Sequence, residues 1–444
     1  MSGFAGSWAR RATVSVLALT LAAALPAPAF AQATPEPAAS ASARPLPLEE
    51  ALRRAAAADP ARAGFEARSR ATDASVRQAR ARPNPTFGLM VENLPTLGGG
   101  DILGRTETTL SYEQRLERGG DRPARVELAR SEGLLVLATA RVRQLDRLEA
   151  VQRAWTDVLT AEASLEIARE RLALAERFQS EVQRRVDAAR DPLFAGARAE
   201  AELAQAQIDF DQAEIAVRIA RISLAKYWDG VADFEAGTAA FEDTGASRVS
   251  AGAVAHADLD VFLAQRGIAD AQVRVEEARA IPDPTVSVGV RHIWENDVAL
   301  VFGGSIPLQR YDRNQGSIDR ARAEGTAAQA DLEAFRVERE REIARLQVQL
   351  LAKANEARRI AEETLPQAER AVTLVREGFA RGGFTYNDVQ AAHAALLQAR
   401  ARRVAVLQAF HNDRARLDRL TGAHADLLGP QAQRADQPTM EPQP

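Results

Sequence analysis

The chain has 444 residues, no cysteine and a net charge of −4 at pH 7, and aromatic residues make up only 5% of it. The lack of cysteine excludes a disulfide framework, a thiol nucleophile, a thiolate metal site and lipidation of an N-terminal cysteine. The nearly balanced charge gives no strong attraction to nucleic acid. A composition rich in Ala, Arg, Glu, Gln and Leu is typical of long helices.

The N-terminus has the features of a secretory signal peptide, which we assign to residues 1–31. Two adjacent arginines precede a short apolar run at residues 14–25, and a small-x-small site predicts cleavage after Ala31. The alternative is an uncleaved anchor helix. Residues 32–45, rich in Ala, Pro and Ser, are expected to form a flexible lead-in.

The remainder of the chain repeats one pattern twice. Residues 79–86 read ARARPNPT, and residues 278–285 read ARAIPDPT. A second echo follows each stretch, so the duplicated unit is a whole structural element of nearly 200 residues. We predict two repeats, residues 46–240 and 241–425, followed by a disordered, proline-rich tail at residues 426–444.

The first repeat begins with a predicted helix over residues 48–81, which Pro83 and Pro85 end because proline lacks an amide donor. Apolar residues then alternate with polar or small ones at residues 87–91, and a partner strand is predicted at residues 106–114. The two runs are joined by a loop rich in Gly and Pro, where we place the seven residues by which the first repeat is longer.

Long helices complete each repeat. The first is predicted over residues 123–191, about 100 Å at 1.5 Å per residue, with heptad spacing typical of a supercoil. It turns at residues 190–192 and returns to residue 227. The second repeat follows the same order: strands at 286–290, after Pro282 and Pro284, and at 299–306, a helix from about 318, a turn at 378–383 and a return helix at 385–420.

Four strands per chain are too few to close a barrel, and open strand edges cannot lie in hydrocarbon. If these strands enter a membrane, several chains must share one barrel, and three chains would supply twelve strands. The alternative is a pair of small hairpins that cap a soluble coiled coil. The pattern of residues leaves both possibilities open.

This order of elements resembles the TolC-like outer membrane efflux channel family over residues 46–422. The stretches that carry the resemblance are Leu48–Leu52 with Asp59-Pro60, Arg82–Pro85, Ile281–Pro284, Ser305–Leu308 and Leu420–Gly422. Two more stretches, residues 116–122 (LERGGDR) and residues 311–316 (YDRNQG), resemble the CzcC-type branch, which serves heavy-metal cation efflux.

The resemblance implies a mainly α protein with a small β part. Three copies would form a twelve-stranded β-barrel in the outer membrane of a Gram-negative bacterium, continued by a periplasmic helical barrel. The homotrimer would be the exit duct of a tripartite pump, with a periplasmic adaptor and an inner-membrane transporter, of RND type, as partners. No cofactor is implied.

The resemblance also marks candidate functional residues at the helical turns. Asp388 matches a position where family members carry a gate aspartate, and three copies would form a negative ring that attracts cations. Ala391 replaces a second acidic residue found in some relatives, which weakens this ring. The alternative role of Asp388 is to cap a helix.

The turns themselves are candidate adaptor contacts. They contain Gly378, Gly382 and Gly383 in the second repeat, and Asp191 and Pro192 in the first. The alternative for the glycines is a simple turn requirement.

No metal or catalytic site is predicted. The histidines have no ligand spacing on one helix face; they are His256, His292, His393, His411 and His424. The sequence contains no phosphate-binding loop and no HExxH motif. The functional hypotheses are therefore a channel for heavy-metal cations of the cobalt/zinc/cadmium or copper/silver type, the same channel for organic drugs, and a periplasmic coiled-coil adaptor or scaffold without a pore. The complete second repeat argues against the adaptor, which would normally have one helical hairpin.

Overall fold

The computed structural model describes residues 44–93, 106–245, 253–293 and 297–428. The predicted signal peptide with its cleavage site at Ala31, nearly all of the lead-in and the loop between the first two predicted strands lie outside the described residues. So does most of the predicted tail.

Each repeat contributes two strands and a long helical hairpin, as the sequence predicts, and the strands join in one four-stranded sheet. The elements of the first repeat are β1 (Arg44–Pro45), α1 (Leu48–Ala57), α2 (Ala61–Ala79), β2 (Thr86–Glu92), β3 (Glu107–Arg115), α3 (Asp121–Asp187), α4 (Leu193–Ala225) and β4 (Phe234–Glu235). Those that follow are α5 (Thr238–Glu242), α6 (His256–Arg279), β5 (Thr285–Ile293), β6 (Asp297–Ser305), α7 (Gln315–Arg359), α8 (Leu365–Ala380) and α9 (Tyr386–Thr421).

The predicted single helix over residues 48–81 is wrong, because the structure has two helices there. α1 ends at Ala57, and α2 begins at Ala61 after Pro60. The Ala61 amide donates to the Asp59 carboxylate at 3.0 Å. Proline cannot continue the hydrogen bonding of a preceding helix, whereas its fixed φ suits the start of a new one.

A short π-helix divides the first long helix of the second repeat into two α-helices. It spans Ile360–Thr364, between α7 and α8, and Pro366 follows as the second residue of α8. Proline has no amide to donate to the preceding turn, which favours a local change in helical pitch. The first repeat has an uninterrupted α3 of 67 residues at the corresponding place.

The four main strands form one antiparallel sheet in the order β2-β3-β5-β6. The β3–β5 pair joins the two repeats, with Leu110 opposite Val290 and Tyr112 opposite Val288. The strands β2 and β6 lie at the two edges, so each repeat contributes one edge of the sheet.

One face of this sheet is apolar and exposed. Phe87 is 75% exposed and Phe302 76%, and the two lie in one row of paired residues across the sheet. The large exposed side chains of this face are Phe87, Leu89, Val91, Leu110, Tyr112, Val286, Val288, Val290, Val298, Leu300 and Phe302. A face of this kind requires a partner or an apolar medium. Within the described residues no helix has an apolar stretch long enough to cross a bilayer.

The helices pack side by side in a row, and α3 is an inner member of that row. Along its length α3 contacts helices of both repeats. Near the sheet the neighbours follow the order α2, α3, α6, α7, and towards the helical turns the order is α4, α3, α9, α8. At both levels one outer helix comes from each repeat. The arrangement of the helices therefore matches that of the strands.

The largest apolar core lies midway along α3, where the N-terminal segment meets the connection between the repeats. The strand β1 pairs with β4, and the Trp155 indole donates to the Leu46 carbonyl at 3.0 Å. The Glu162 carboxylate accepts hydrogen bonds from Arg221 and from the Ala236 amide. The core residues include Leu52, Leu148, Val151, Val158, Leu159, Leu224, Phe234 and Phe241.

The predicted tail begins too early. Ala425–Leu428 forms a 3₁₀ turn, and Leu427 and Leu428 pack against the central core. Residues 426–428 are therefore part of the folded protein, because two leucines bury apolar surface there. Residues 429–444 lie outside the described part of the chain.

A buried arginine near the end of α9 connects the repeats. The Arg419 guanidinium donates to both carboxylate oxygens of Asp258, at 2.7 and 2.9 Å, and to Asp146 on α3 at 2.6 Å. The side chains of Arg419 and Asp258 are only 5% and 8% exposed. Removing one member of a buried ion pair leaves the other charge without compensation.

We predict that Arg419→Met lowers the free energy of unfolding by about 3–5 kcal/mol, because Asp258 loses its partner inside the protein. The control is Arg402→Met on the same helix, where an exposed pair with Glu356 is lost at a cost of about 0–1 kcal/mol. Denaturant unfolding followed by helical circular dichroism measures both changes. Equal losses in the two variants would contradict this assignment.

Candidate functional site

The two helical turns pack against each other at one end of the protein. The helices α3, α4, α8 and α9, which lead into and out of the turns, all contribute to a small apolar core there. The tips of the two repeats therefore form one unit. Its buried members are Phe178, Val182, Ala195, Ala199, Phe379 and Val389. This end contains every turn residue that the sequence analysis marked as a candidate.

Asp191 in the first turn is engaged by an arginine that also contacts the second repeat. The Arg185 guanidinium donates to the two Asp191 carboxylate oxygens at 2.7 and 3.0 Å, and it lies 4.4 Å from the centre of the Phe379 ring. The hydrogen bonds from Arg185 lower the pKa of the Asp191 carboxyl below its ordinary value. Asp191 therefore orients Arg185, a role that sequence reasoning missed.

Pro192 directly precedes α4, in extended backbone geometry. The next two side chains, Leu193 and Phe194, are 83% and 71% exposed. Sequence reasoning did not single them out, although an apolar pair directly after an Asp-Pro turn was a readable signal. The first turn therefore presents an apolar tip to its surroundings.

Two of the three glycines in the second turn meet a geometric requirement for glycine. A Cβ atom on Gly378 would lie 2.1 Å from the Phe384 ring, and Gly382 has a φ of +80°. The Gly383 amide donates to the Gly378 carbonyl at 2.8 Å, which closes the end of α8. That backbone bond does not itself require glycine at position 383.

Asp388 lies in the first turn of α9 and forms a capping box with Thr385. Its carboxylate accepts from the Thr385 amide and hydroxyl, both at 2.7 Å, and the Asp388 amide donates to the Thr385 hydroxyl at 3.4 Å. The side chain is fully exposed, and the backbone hydrogen bond from Thr385 is the main cause of its lowered pKa. Asp388 is therefore ionised and oriented at the tip.

Side chains of α4 and α9 hold the two tips together near Asp388. Arg198 donates to the Asn387 side chain at 3.1 Å and lies 4.9 Å from the centre of the Tyr386 ring. Gln390 donates to Glu202 and to the Tyr386 hydroxyl. Burial is the main factor that raises the pKa of Tyr386, so its hydroxyl stays neutral.

His393 lies one helical turn below this group and is buried beside Phe178. Burial, followed by the nearby Arg376 and Arg177, lowers the pKa of its imidazole. The positive charges of Arg376 and Arg177 beside the imidazole disfavour a bound cation there. Among the described residues, no group of three His, Asp or Glu side chains is arranged to hold a metal ion.

The four marked prolines lie where each helix gives way to a strand. Pro83 and Pro85 separate α2 from β2, and Pro282 and Pro284 separate α6 from β5. Between the latter two, the Asp283 carboxylate is buried and accepts from the Arg115 side chain and the Arg118 amide, at 3.0 and 2.9 Å. Arg115, Arg118 and Asp283 therefore join the strand ends of the two repeats.

The two stretches that resemble the CzcC-type branch both pack against the end of α6. A Cβ atom on Gly119 would lie 2.4 Å from the Ala278 carbonyl oxygen, so only glycine fits there. The Asn314 side chain donates to the carbonyl and to the carboxylate of Glu276, each at 2.9 Å. Asn314 also adopts a positive φ of 58°, which asparagine tolerates well.

The duplicated architecture, the exposed apolar face of the sheet and the paired tips define a TolC-like fold, which solved outer membrane proteins share. The chain belongs to the outer membrane efflux protein family, whose model matches residues 51–230 and 253–423, one segment in each repeat.

Curated relatives match along most of the chain. The cobalt-zinc-cadmium resistance protein CzcC of Cupriavidus metallidurans is 30% identical over 386 residues, which cover 85% of this chain and 90% of the relative. The nickel-cobalt-cadmium resistance protein NccC of Alcaligenes xylosoxydans xylosoxydans is 32% identical and covers 66% of this chain and 67% of the relative.

A solved structure has the same fold. The outer membrane protein VceC of Vibrio cholerae superposes with a TM-score of 0.64 at 20% identity, over 86% of this chain and 96% of VceC. The fold expected for the single chain, mainly α with a small β part and two tandem repeats, is therefore confirmed.

We predict that Asp388→Ala increases amide hydrogen exchange at residues 386–389 by about fivefold at neutral pH, because the capping box is lost. The lowered pKa of Asp388 means that its contribution is complete above the ordinary value of 3.8 and fades as the pH falls through the lowered value. The difference between variant and wild type should therefore vanish in acid. Glu377→Ala, which removes an exposed carboxylate of α8 and leaves the box intact, is the control; a difference independent of pH would refute the role of the charge.

We predict that Gly119→Ala destabilises the protein by about 1–3 kcal/mol, because the new methyl group overlaps the Ala278 backbone. Gly316→Ala is the matched control in the second stretch. Its Cβ would meet no atom within 4 Å, and alanine in a helix is favoured over glycine by about 0.5–1 kcal/mol. Thermal melting measures both variants, and a stable Gly119→Ala protein would argue against the close packing.

Proposed function

We propose that this chain is the outer-membrane exit channel of a tripartite efflux pump, a passive conduit that exports heavy-metal cations. The observation that carries the proposal is the four-stranded sheet, which has one exposed apolar face and two unpaired edges. Such a sheet suits the bilayer only when copies of the chain pair their edges and close a barrel. Three copies would supply twelve strands, an even number within the range of known barrels.

The helical part supports the same assembly. The helix α4 is the outermost first-repeat helix in the row α4, α3, α9, α8. It exposes a row of four isoleucines, Ile208, Ile215, Ile219 and Ile222. At the opposite side, α8 exposes Leu374. Apolar side chains at both outer sides favour contact with a second copy of the chain, which would continue the barrel of strands as a barrel of helices in a homotrimer.

The substrate class rests on the curated relatives, whose names state resistance to cobalt, zinc, cadmium and nickel. We propose that this chain exports cations of the same kind. A duct needs no tight binding site for its cargo, because conduction requires that each ion be released. The inner-membrane pump would then select the ion.

The tips are the proposed contacts with the rest of the pump. The exposed Leu193 and Phe194, next to Asp191 and Pro192, offer an apolar surface to a periplasmic adaptor, and Gly382 and Gly383 form the second part of that surface. The adaptor would connect the channel to an inner-membrane transporter of RND type. A cleaved signal peptide would direct the chain to the outer membrane without lipidation.

Asp388 would form a negative ring at the periplasmic mouth of the trimer. Its full exposure and lowered pKa support this role, because the carboxylate is charged and free of a cationic partner among its hydrogen-bond contacts. The cap and the ring are compatible, since one carboxylate oxygen, Oδ2, accepts both Thr385 bonds.

We predict that deletion of the gene reduces growth in the presence of cobalt, zinc, cadmium or nickel salts. Growth in the presence of common antibiotics should be unchanged. Complementation with the wild-type gene should restore resistance, whereas a gene without the codons for residues 86–115 should not, because the first two strands are missing. Loss of resistance to organic compounds alone would contradict the metal substrate. Recovery of the protein as a soluble periplasmic monomer would contradict the channel and favour a scaffold.

A further inference from the structure

An arginine lies between two carboxylates on the face of the sheet opposite the exposed apolar face. Arg291 on β5 donates through Nη2 to Glu92 at 3.2 Å, through Nη1 to Glu107 at 3.4 Å and through Nε to the Thr109 hydroxyl at 3.1 Å. The Asn93 side chain donates to the other oxygen of Glu107 at 3.1 Å. All three guanidinium nitrogens therefore have a partner.

This group faces away from the exposed apolar side chains. Arg291 alternates along β5 with Val290 and His292, and Thr109 alternates along β3 with Leu110. If the apolar face meets lipid, as the proposed function requires, the Arg291 group lines the interior of the barrel. Glu92 and Glu107 are paired at the end of their hairpin, next to the connecting loop.

Small residues flank Arg291 on the side away from the hairpin end, whereas Ile293 follows it on the same face of β5 and Met90 lies on that face opposite Thr109. The next positions along the same face are Gly289 on β5 and Ser111 on β3, which lie opposite each other. Small side chains leave open space beside the guanidinium, whose side chain is 33% exposed, and Glu92 is 41% exposed. Ions that pass along this face can therefore reach the carboxylates.

Without the guanidinium, these groups would have the chemistry of a divalent cation site. Two carboxylates and a hydroxyl converge on the volume that the guanidinium fills, and oxygen ligands of this kind bind hard divalent cations. In the present arrangement Arg291 neutralises one of the two negative charges and occupies one oxygen of each carboxylate. A cation would have to displace a hydrogen-bonded arginine in order to bind.

We propose that Arg291 determines the cation affinity of the channel's outer end: it occupies Glu92 and Glu107 so that an exported divalent cation is not retained there. The inference rests on the proposed function for its biological meaning. The two carboxylates still give the exit a net negative charge, which attracts cations, whereas Arg291 prevents chelation. Attraction without tight binding is the condition for conduction.

The test measures Mn²⁺ binding to the full-length protein in detergent, by the electron paramagnetic resonance signal of the free ion. Arg291→Gln and Arg291→Ser each remove the guanidinium, and the two variants together guard against the failure of one to fold. We expect both to gain a site that binds Mn²⁺ about tenfold or more tightly than the wild type. Arg291→Lys, which keeps the charge, should behave as the wild type.

The triple variant R291Q/E92Q/E107Q is the decisive control. It should lose the gained site, because the carboxylates that form it are gone. Equal Mn²⁺ binding by the wild type and by both neutral variants, or a site that persists in the triple variant, would overturn the proposal. Oligomers that resist detergent establish that each variant is folded.

Conductance in planar bilayers separates this inference from the proposed function. We expect Mn²⁺ to block K⁺ current through Arg291→Gln and to leave the wild-type and triple-variant currents unchanged. Channels that conduct but are not blocked in Arg291→Gln would defeat the role of Arg291 and leave the channel function intact. If the wild-type protein does not conduct, the channel function fails, and Mn²⁺ binding still decides whether Arg291 suppresses a cation site.

Discussion

The structure depends on one constraint: among the described residues, no further strand pairs with the outward-facing backbone groups at the two edges of the sheet. The order β2-β3-β5-β6 leaves β2 of the first repeat and β6 of the second repeat at opposite edges. The helices obey the same rule, with α2 or α4 on one side and α7 or α8 on the other. A chain whose two sides differ at every level can pair its first-repeat side with the second-repeat side of a copy, and such head-to-tail contacts form a ring where the rotation between copies closes.

Polar contacts join the two repeats at three places along the length of the helices. Near the sheet, Asp283 accepts from Arg115 and Arg118. Arg419 bridges α3 and α6 in the middle region, and Arg185 reaches Phe379 at the tips. In each case a residue of one repeat satisfies a polar group of the other. The duplication therefore produced two units that are similar in plan and are held together by contacts that are not repeated.

The sequence was sufficient for the plan of the fold and insufficient for contacts between distant segments. Strands, turns and strand-start prolines follow from local rules, namely period-two alternation and the missing amide of proline. The Thr385–Asp388 cap was also a local signal. The pairing of β3 with β5 joins residues such as Thr109 and Arg291, about which local periodicity carries no information. The break at Pro60 was missed because proline is compatible with either the end or the first turn of a helix.

Disulfide crosslinking between the sheet edges tests the central claim most directly, and the absence of native cysteine makes it clean. One cysteine replaces Gly88 in β2, and a second is moved along β6 from residue 297 to residue 305. The account predicts crosslinks between copies at matching positions, with a series of bands that ends at three chains. The comparison pair, cysteines at the paired residues Glu113 and Ser287 on the central strands, should give no bands larger than one chain. Edge cysteines that never join two copies would contradict a barrel shared between chains.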